Sequence, residues 1–201
     1  MAKIKLTKNE LKKQKDELKM FKRYLPTLML KKQQLQAEIR IVELRIKELR
    51  TEKDSLDEAF KVWIAVFGEK GVFTPDLLRI TKIVAGEGNI AGVPIPVFER
   101  AEFEIANYDL LKKPLWLDMA IEKLKKKLAL DMEVRTLEEQ ERRLAHELRT
   151  TSQRVNLFEK IKIPESKFNI KKIQVYLGDQ QTAAVVRGKI SKRGMEKAAS
   201  A

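Results

Sequence analysis

The chain has 201 residues and a formal net charge of +13, with 42 Lys and Arg against 29 Asp and Glu, and it contains no cysteine. Without cysteine there is no disulfide framework, no Cys-based zinc site and no thiol catalysis. Charged residues make up 35% of the chain and aromatics only 6%, a balance that predicts long helices rather than a compact globule. The opening MAKIKLTKNELKKQKD has no apolar core segment, so no secretory signal is expected there. Nowhere do about 18 apolar residues run together, so no membrane-spanning helix is expected. The charge is unevenly spread: net +6 over residues 1–60, zero over 61–115 and +7 over 116–201. Basic end segments of this kind suit nucleic acid, an anionic surface or an acidic protein partner.

The first segment carries a heptad. Positions Ile4, Leu11, Leu18, Leu25, Lys32, Ile39, Ile46, Lys53 and Phe60 alternate with Thr7, Gln14, Phe21, Leu28, Leu35, Val42, Leu49 and Leu56. On a helix this spacing lays one apolar stripe along one side, and a stripe sustained so long reads as a coiled coil. One helix cannot bury such a stripe alone. Pro26 falls inside the pattern, but the stripe keeps its phase through Leu25, Leu28 and Leu35, which predicts a kink in a continuous helix.

Residues 68–114 hold five of the eight glycines and four of the six prolines, where helices stop. Arg79–Ala85 alternates and is β-branched, so a strand is expected. GEGNIAG, from Gly86 to Gly92, is expected to turn the chain, with Val93–Phe98 returning; Pro94 and Pro96 then belong on an edge. From Trp116 the helical pattern resumes with Ile121, Leu124, Leu128, Val134, Leu137, Leu144, Leu148, Val155 and Phe158, interrupted at Glu141 and Thr151 and slipping in phase near Asp131. Pro164 is a second candidate kink, and the stretch from Gly178 is small and basic.

The predicted fold is mainly α. The N- and C-terminal helices form a long antiparallel two-helix coiled coil (residues 1–60 and 116–201), and a small middle cap with a short β-hairpin and short helices occupies 61–115. The expected coiled-coil core is Leu11, Leu18, Leu25, Leu28, Leu35, Ile39, Val42, Ile46, Leu49, Leu137, Leu144, Leu148, Val155 and Phe158.

The chain carries no recognisable catalytic constellation. In GEGNIAG the third glycine is one place late for a dinucleotide loop, and prolines follow where a helix should open. His146 is the only histidine, which supports neither a metal cluster nor a triad. Glu138, Glu139 and Glu141 alternate with Arg142 and Arg143 as a solvated helix face would, and Lys125–Lys127 reads the same way. A thin helix pair offers no water-poor pocket for an acid–base pair. No catalytic, cofactor-binding or metal residue is therefore predicted. Trp63 and Trp116 are expected to pack the base of the cap.

Four stretches, in order, resemble one family: Leu6–Gln36, GNIAGVPIPVFE (Gly88–Glu99), RVNLFEKIKIP (Arg154–Pro164) and YLGDQQTAAVVRGKISK (Tyr176–Lys192). They are similar to the D subunit of the V-type and archaeal-type (A-type) rotary ATPases. The resemblance implies a non-catalytic axle. Its paired termini would enter a hexamer of catalytic A and B subunits. Its middle would meet the F subunit and the funnel subunit (C/d type) on the membrane rotor ring. No cofactor, no nucleic acid and no membrane insertion are implied, and the place is cytoplasmic, peripheral on the membrane-bound complex. Charge placement adds one expectation: Lys3, Lys5 and Lys8, with Arg187, Lys189, Lys192 and Arg193, face acidic loops lining the hexamer bore. The alternatives are a basic coiled-coil scaffold and a nucleic-acid-binding protein. The second would need aromatics set among the cations, and the basic ends are poor in them.

Overall fold

The computed structural model describes residues 4–61, 77–108, 113–114 and 116–199. Trp63 and Lys3 lie outside them. Helix α1 runs Lys8–Lys61, strand β1 Leu78–Ile90, strand β2 Val93–Ile105 and helix α2 Trp116–Asn156. A π-helical turn over Leu157–Lys162 leads into helix α3, Ile163–Ala199. The chain is mainly helical, with two long helical arms on either side of one antiparallel hairpin. It divides into two compact units: residues 1–30 with 151–201, and residues 31–150.

Helix α1 starts where its sequence supplies a cap. The Thr7 hydroxyl accepts from the Glu10 backbone N–H at 3.3 Å, with Glu10 itself in the first turn, the T-x-x-E arrangement that satisfies otherwise orphaned donors. The helix then continues through Pro26 without interruption. The Pro26 side chain is exposed while Leu25 and Leu28 are half-buried. The carbonyl that loses its donor therefore lies on the solvent side, where water can satisfy it.

In the unit of residues 31–150, α1 and α2 pair antiparallel. Leu35, Ile39, Val42, Ile46 and Leu49 of α1 are buried against Leu130, Val134 and Leu144 of α2, with Leu137 and Leu148 at the margin. The hairpin lies against this pair. Val93 and Ile95, near its turn, join that same cluster, whereas Leu78 near its base joins Leu117 and Ile121. Trp116 packs at the edge of the second cluster. A two-stranded hairpin is marginal by itself, and here helices cover one face.

The strands are longer than the sequence suggests. β1 continues through GEGN to Ile90, and the turn contracts to Ala91 and Gly92, with φ of 52° and 81°. Positive φ at both central residues is the hairpin turn whose twist matches the strands. The Asn89 side chain reinforces it by accepting from the Gly92 N–H at 2.9 Å. The glycines that look like turn residues serve inside the strand instead. A Cβ on Gly86 would stand 2.6 Å from Glu99 Oε1, and one on Gly88 would stand 2.9 Å from Val97 Cγ2. Gly88 makes room for the Val97 side chain of the returning strand, whereas at Gly86 the exposed Glu99 carboxylate could swing aside.

The unit of residues 1–30 and 151–201 is a second antiparallel helix pair with a more polar interior. Thr151, Ser166 and Asn169 are buried beside Val155 and Ile173. Phe21 and Phe158 meet with ring centroids 5.0 Å apart, and Asn169 donates to Gln14. The two helices keep different counts. On α1 the inward positions hold the strict heptad 11, 14, 18, 21, 25, 28; on the returning arm they run 151, 155, 158, 162, 166, 169, 173. The two consecutive steps of four carry one extra residue, and the π-turn absorbs it, the Ile163 N–H reaching back to the Phe158 carbonyl. Pro164 follows at once; it cannot donate to the Lys160 carbonyl, and its ring would crowd that group in a regular helix. The irregularity expected at Pro164 is thus taken up in the turn before it.

Candidate partner-binding surfaces

Among the described residues no three His, Cys, Asp or Glu side chains are grouped to hold a metal ion, and no helix is long and apolar enough to cross a membrane. What the chain offers instead is surface.

In the unit of residues 31–150 the helices are laced by ion pairs. Lys31 meets Glu147 at 2.7 Å, Arg45 meets Glu133 at 3.2 Å, Arg50 meets Glu138 at 2.6 Å and Lys126 meets Glu52 at 2.8 Å. Lys53 pairs with Asp131, and Lys127 with Asp57. Exposed pairs contribute little each, but opposite charges placed in series disfavour any other register. The Lys53 contact holds the Asp131 carboxyl below its ordinary range. Glu139 is lowered to about 2 by hydrogen bonds first from Arg142 and then from Arg143. Near the hairpin base, the Tyr108 hydroxyl donates to Asp118, which raises the phenol above its usual value.

The hairpin has one covered and one open edge. The Gln140 amide donates to the Pro96 carbonyl and Arg143 to the Pro94 carbonyl, so α2 side chains satisfy acceptors on β2. Sequence reasoning placed the two prolines at an edge but gave no sign that Gln140, buried on α2, would serve them. Ile83 and Val97 stand partly exposed on the hairpin, and Ile41 and Leu44 are 59% and 62% exposed on α1. Beside the hairpin turn, Val93, Pro94, Arg142, Arg143, His146 and Glu147 line an open groove of about 470 Å³.

The expected core residues fall into two groups. Leu35, Ile39, Val42, Ile46, Leu49, Leu144 and Val155 are buried; Leu11, Leu18, Leu25, Leu28, Leu137, Leu148 and Phe158 are half-buried on the inward side. Among the described residues, the basic side chains expected to meet a partner are exposed, and Lys3 lies outside them. Lys5 and Lys8 lie at the start of the first arm, and Arg187, Lys189, Lys192 and Arg193 on α3. The structure does not bring them to one level. Gln14 faces Asn169, so Lys8 lies level with residue 175 or so. The α3 set stands a further 12 to 18 residues along, about 18–27 Å of helix. From 184 to 196 every residue is exposed, Val185, Val186, Ile190 and Met195 included.

Paired helical arms, a hairpin folded against the pair of residues 31–150, and a helix end on which every described side chain from 184 to 196 is exposed define a subunit built for assembly. The comparisons with known proteins name the assembly. The family model for the D subunit of ATP synthase matches residues 10–193. The chain is 55% identical to the V-type ATP synthase D subunit of Borreliella burgdorferi, over 98% of this chain and 97% of that one. It is 34% identical to the protein of that name in Chlamydia trachomatis, covering 97% of both chains, and 35% identical to the one in Chlamydia pneumoniae, covering 96% and 93%. The chain belongs to the ATP synthase D-subunit family.

Proposed function

We propose that this chain is the non-catalytic central-stalk subunit, the rotor shaft, of a V-type/A-type ATPase. It would couple ATP hydrolysis or synthesis in a hexamer of A and B subunits to proton or sodium translocation. The observation that carries this reading is the uncovered end of the second arm: a helix continuing past its partner with Val185, Val186, Ile190 and Met195 all exposed. Large apolar side chains left exposed in a row mark a surface that another protein covers. Together with family membership across nearly the whole chain, they support insertion of the paired termini into the hexamer, with Lys3, Lys5, Lys8, Arg187, Lys189, Lys192 and Arg193 facing its bore.

The unit of residues 31–150 would stay outside. The F subunit would dock on the hairpin's open edge or on the exposed Ile41 and Leu44 of α1, and the funnel subunit on the rotor ring would take the adjoining middle segment. The shaft would act on the cytoplasmic side, peripheral to the membrane, and bind no cofactor. The test is to mix the purified chain with its cognate A–B hexamer, with and without the F subunit, and follow size exclusion and ATPase rate together. One chain captured per hexamer with an altered rate supports the axle. A chain that ignores the hexamer and runs as a homodimer returns the choice to a scaffold.

A further inference from the structure

The helix pair formed by residues 1–30 and 151–201 is chemically two-sided. From Thr7 to Phe21 the residue after each heptad position of α1 is a lysine: Lys8, Lys12, Lys15, Lys19 and Lys22 come after Thr7, Leu11, Gln14, Leu18 and Phe21, and the row ends there, with Pro26 and Met29 after Leu25 and Leu28. The steps of four and three keep all five on one side of the helix, over about 21 Å. All five are exposed, and among the described residues none is in an ion pair. The residues preceding the inward positions differ: Glu10, Lys13, Glu17, Met20 and Tyr24. In an antiparallel pair, preceding residues of both helices share one side. Leu157, Ile161, Phe168 and Tyr176 of the returning arm therefore lie on the side of Met20 and Tyr24. They are 40%, 54%, 65% and 40% exposed, against 45% and 53% for Met20 and Tyr24. The lysine side receives Glu159 and Lys167 from the returning arm, which cancel.

We infer that this lysine row is a one-sided docking strip for a row of acidic side chains on the protein that encloses the helix pair. The inference rests on the shaft reading and extends it. Contact with the hexamer is not confined to the tip but runs down one side of α1, so the shaft presents a different chemistry to each side of the bore. Charge complementarity selects the occupant. Five exposed cations in one row, without internal partners, complement a row of anions on an enclosing protein. A nucleic-acid strand would want aromatics among the cations, yet Tyr24 lies on the other side. A membrane would want a broad basic plane, whereas this row is one lysine wide, with Asp16 exposed on the same helix.

Three full-length chains test it against the cognate A–B hexamer over a salt series. The variant K12Q/K15Q/K19Q/K22Q is expected to lose about tenfold in affinity at low salt and to show a flatter salt dependence. The variant K15E/K19E/E10K/E17K keeps net charge but moves two positive charges to the other side, and is expected to lose at least as much. Neutralising Lys47, Lys61 and Lys82, exposed in the other unit, is expected to change little. Circular dichroism and the unfolding midpoint of the K12Q/K15Q/K19Q/K22Q variant should match the wild type, since none of the strip lysines is in an ion pair; the second variant also removes the Glu10 and Glu17 acceptors of Gln14, so its binding is compared at a temperature where circular dichroism shows it folded. If the wild type binds and the first two variants bind equally well with the same salt slope, the strip is overturned and the shaft reading stands. If the charge-preserving variant alone binds normally, net charge is what matters and the strip is again overturned. If the wild type ignores the hexamer, or prefers duplex DNA or anionic vesicles to it, both readings fall.

Discussion

Single positions already separate what holds the fold from what meets partners. Leu35 and Leu144 have no exposed surface, so Leu35→Ala or Leu144→Ala should cost about 2–5 kcal/mol, read as a lower urea midpoint with an unchanged slope. Ala91 holds φ at 52°, in the left-handed region, where a β-carbon costs roughly 1 kcal/mol. Ala91→Gly should therefore raise stability by up to about that amount in the same assay. Glu139 gives a pH handle. Its carboxyl, lowered to about 2 by Arg142 and Arg143, favours folding above the unfolded value near 4.5, and that contribution is lost as the pH falls towards 2. A carbon-detected NMR titration should place its midpoint near 2, and R142Q/R143Q should bring it back towards the ordinary value.

At the level of elements, the helices were legible and the hairpin only partly so. Period 3.5 in Leu11 to Leu49 and again in Leu137 to Phe158 is imposed by burial on one side of a helix, so it can be read without coordinates. The strand beyond Ala85 could not be, because Gly88 clears Val97 inside the strand, and a glycine placed for space has the same letter as one placed for a turn. The satisfaction of Pro94 and Pro96 by Arg143 and Gln140 joins residues over 40 positions apart and has no local signature. Gln140→Ala would leave the Pro96 carbonyl without this donor. A loss of about 1 kcal/mol is expected, with amide exchange rising in the hairpin before it rises in α1.

For the molecule as a whole, composition spoke plainly: few aromatics, many charges and an apolar stripe require a partner helix. What composition could not show is that charge is sorted by side as well as by segment. The lysines of 8–22 look like a diffuse basic run until the inward positions are fixed. Removing residues 188–201 is expected to leave the unfolding midpoint unchanged, since the described side chains there are all exposed, while altering the hexamer's ATPase rate in the reconstituted complex. A fall of several degrees in the midpoint would instead mean that the projecting helix is anchored within the chain.

The π-turn at Leu157–Lys162 has a consequence for how this arm can change length. A widened turn is an insertion that the helix has already accommodated, so one residue can be withdrawn there without rotating the helix beyond it. Deleting Glu159 should let the turn relax towards an ordinary helix and leave Ser166, Asn169 and Ile173 facing α1. Deleting Arg23 from the regular heptad opposite offers no such slack: it swings the earlier half of α1 by about 100° against the rest, so Leu18 and Phe21 can no longer share a side with Leu25 and Leu28. One arm therefore carries a spare residue, and length variation among related chains should gather there and spare the other arm.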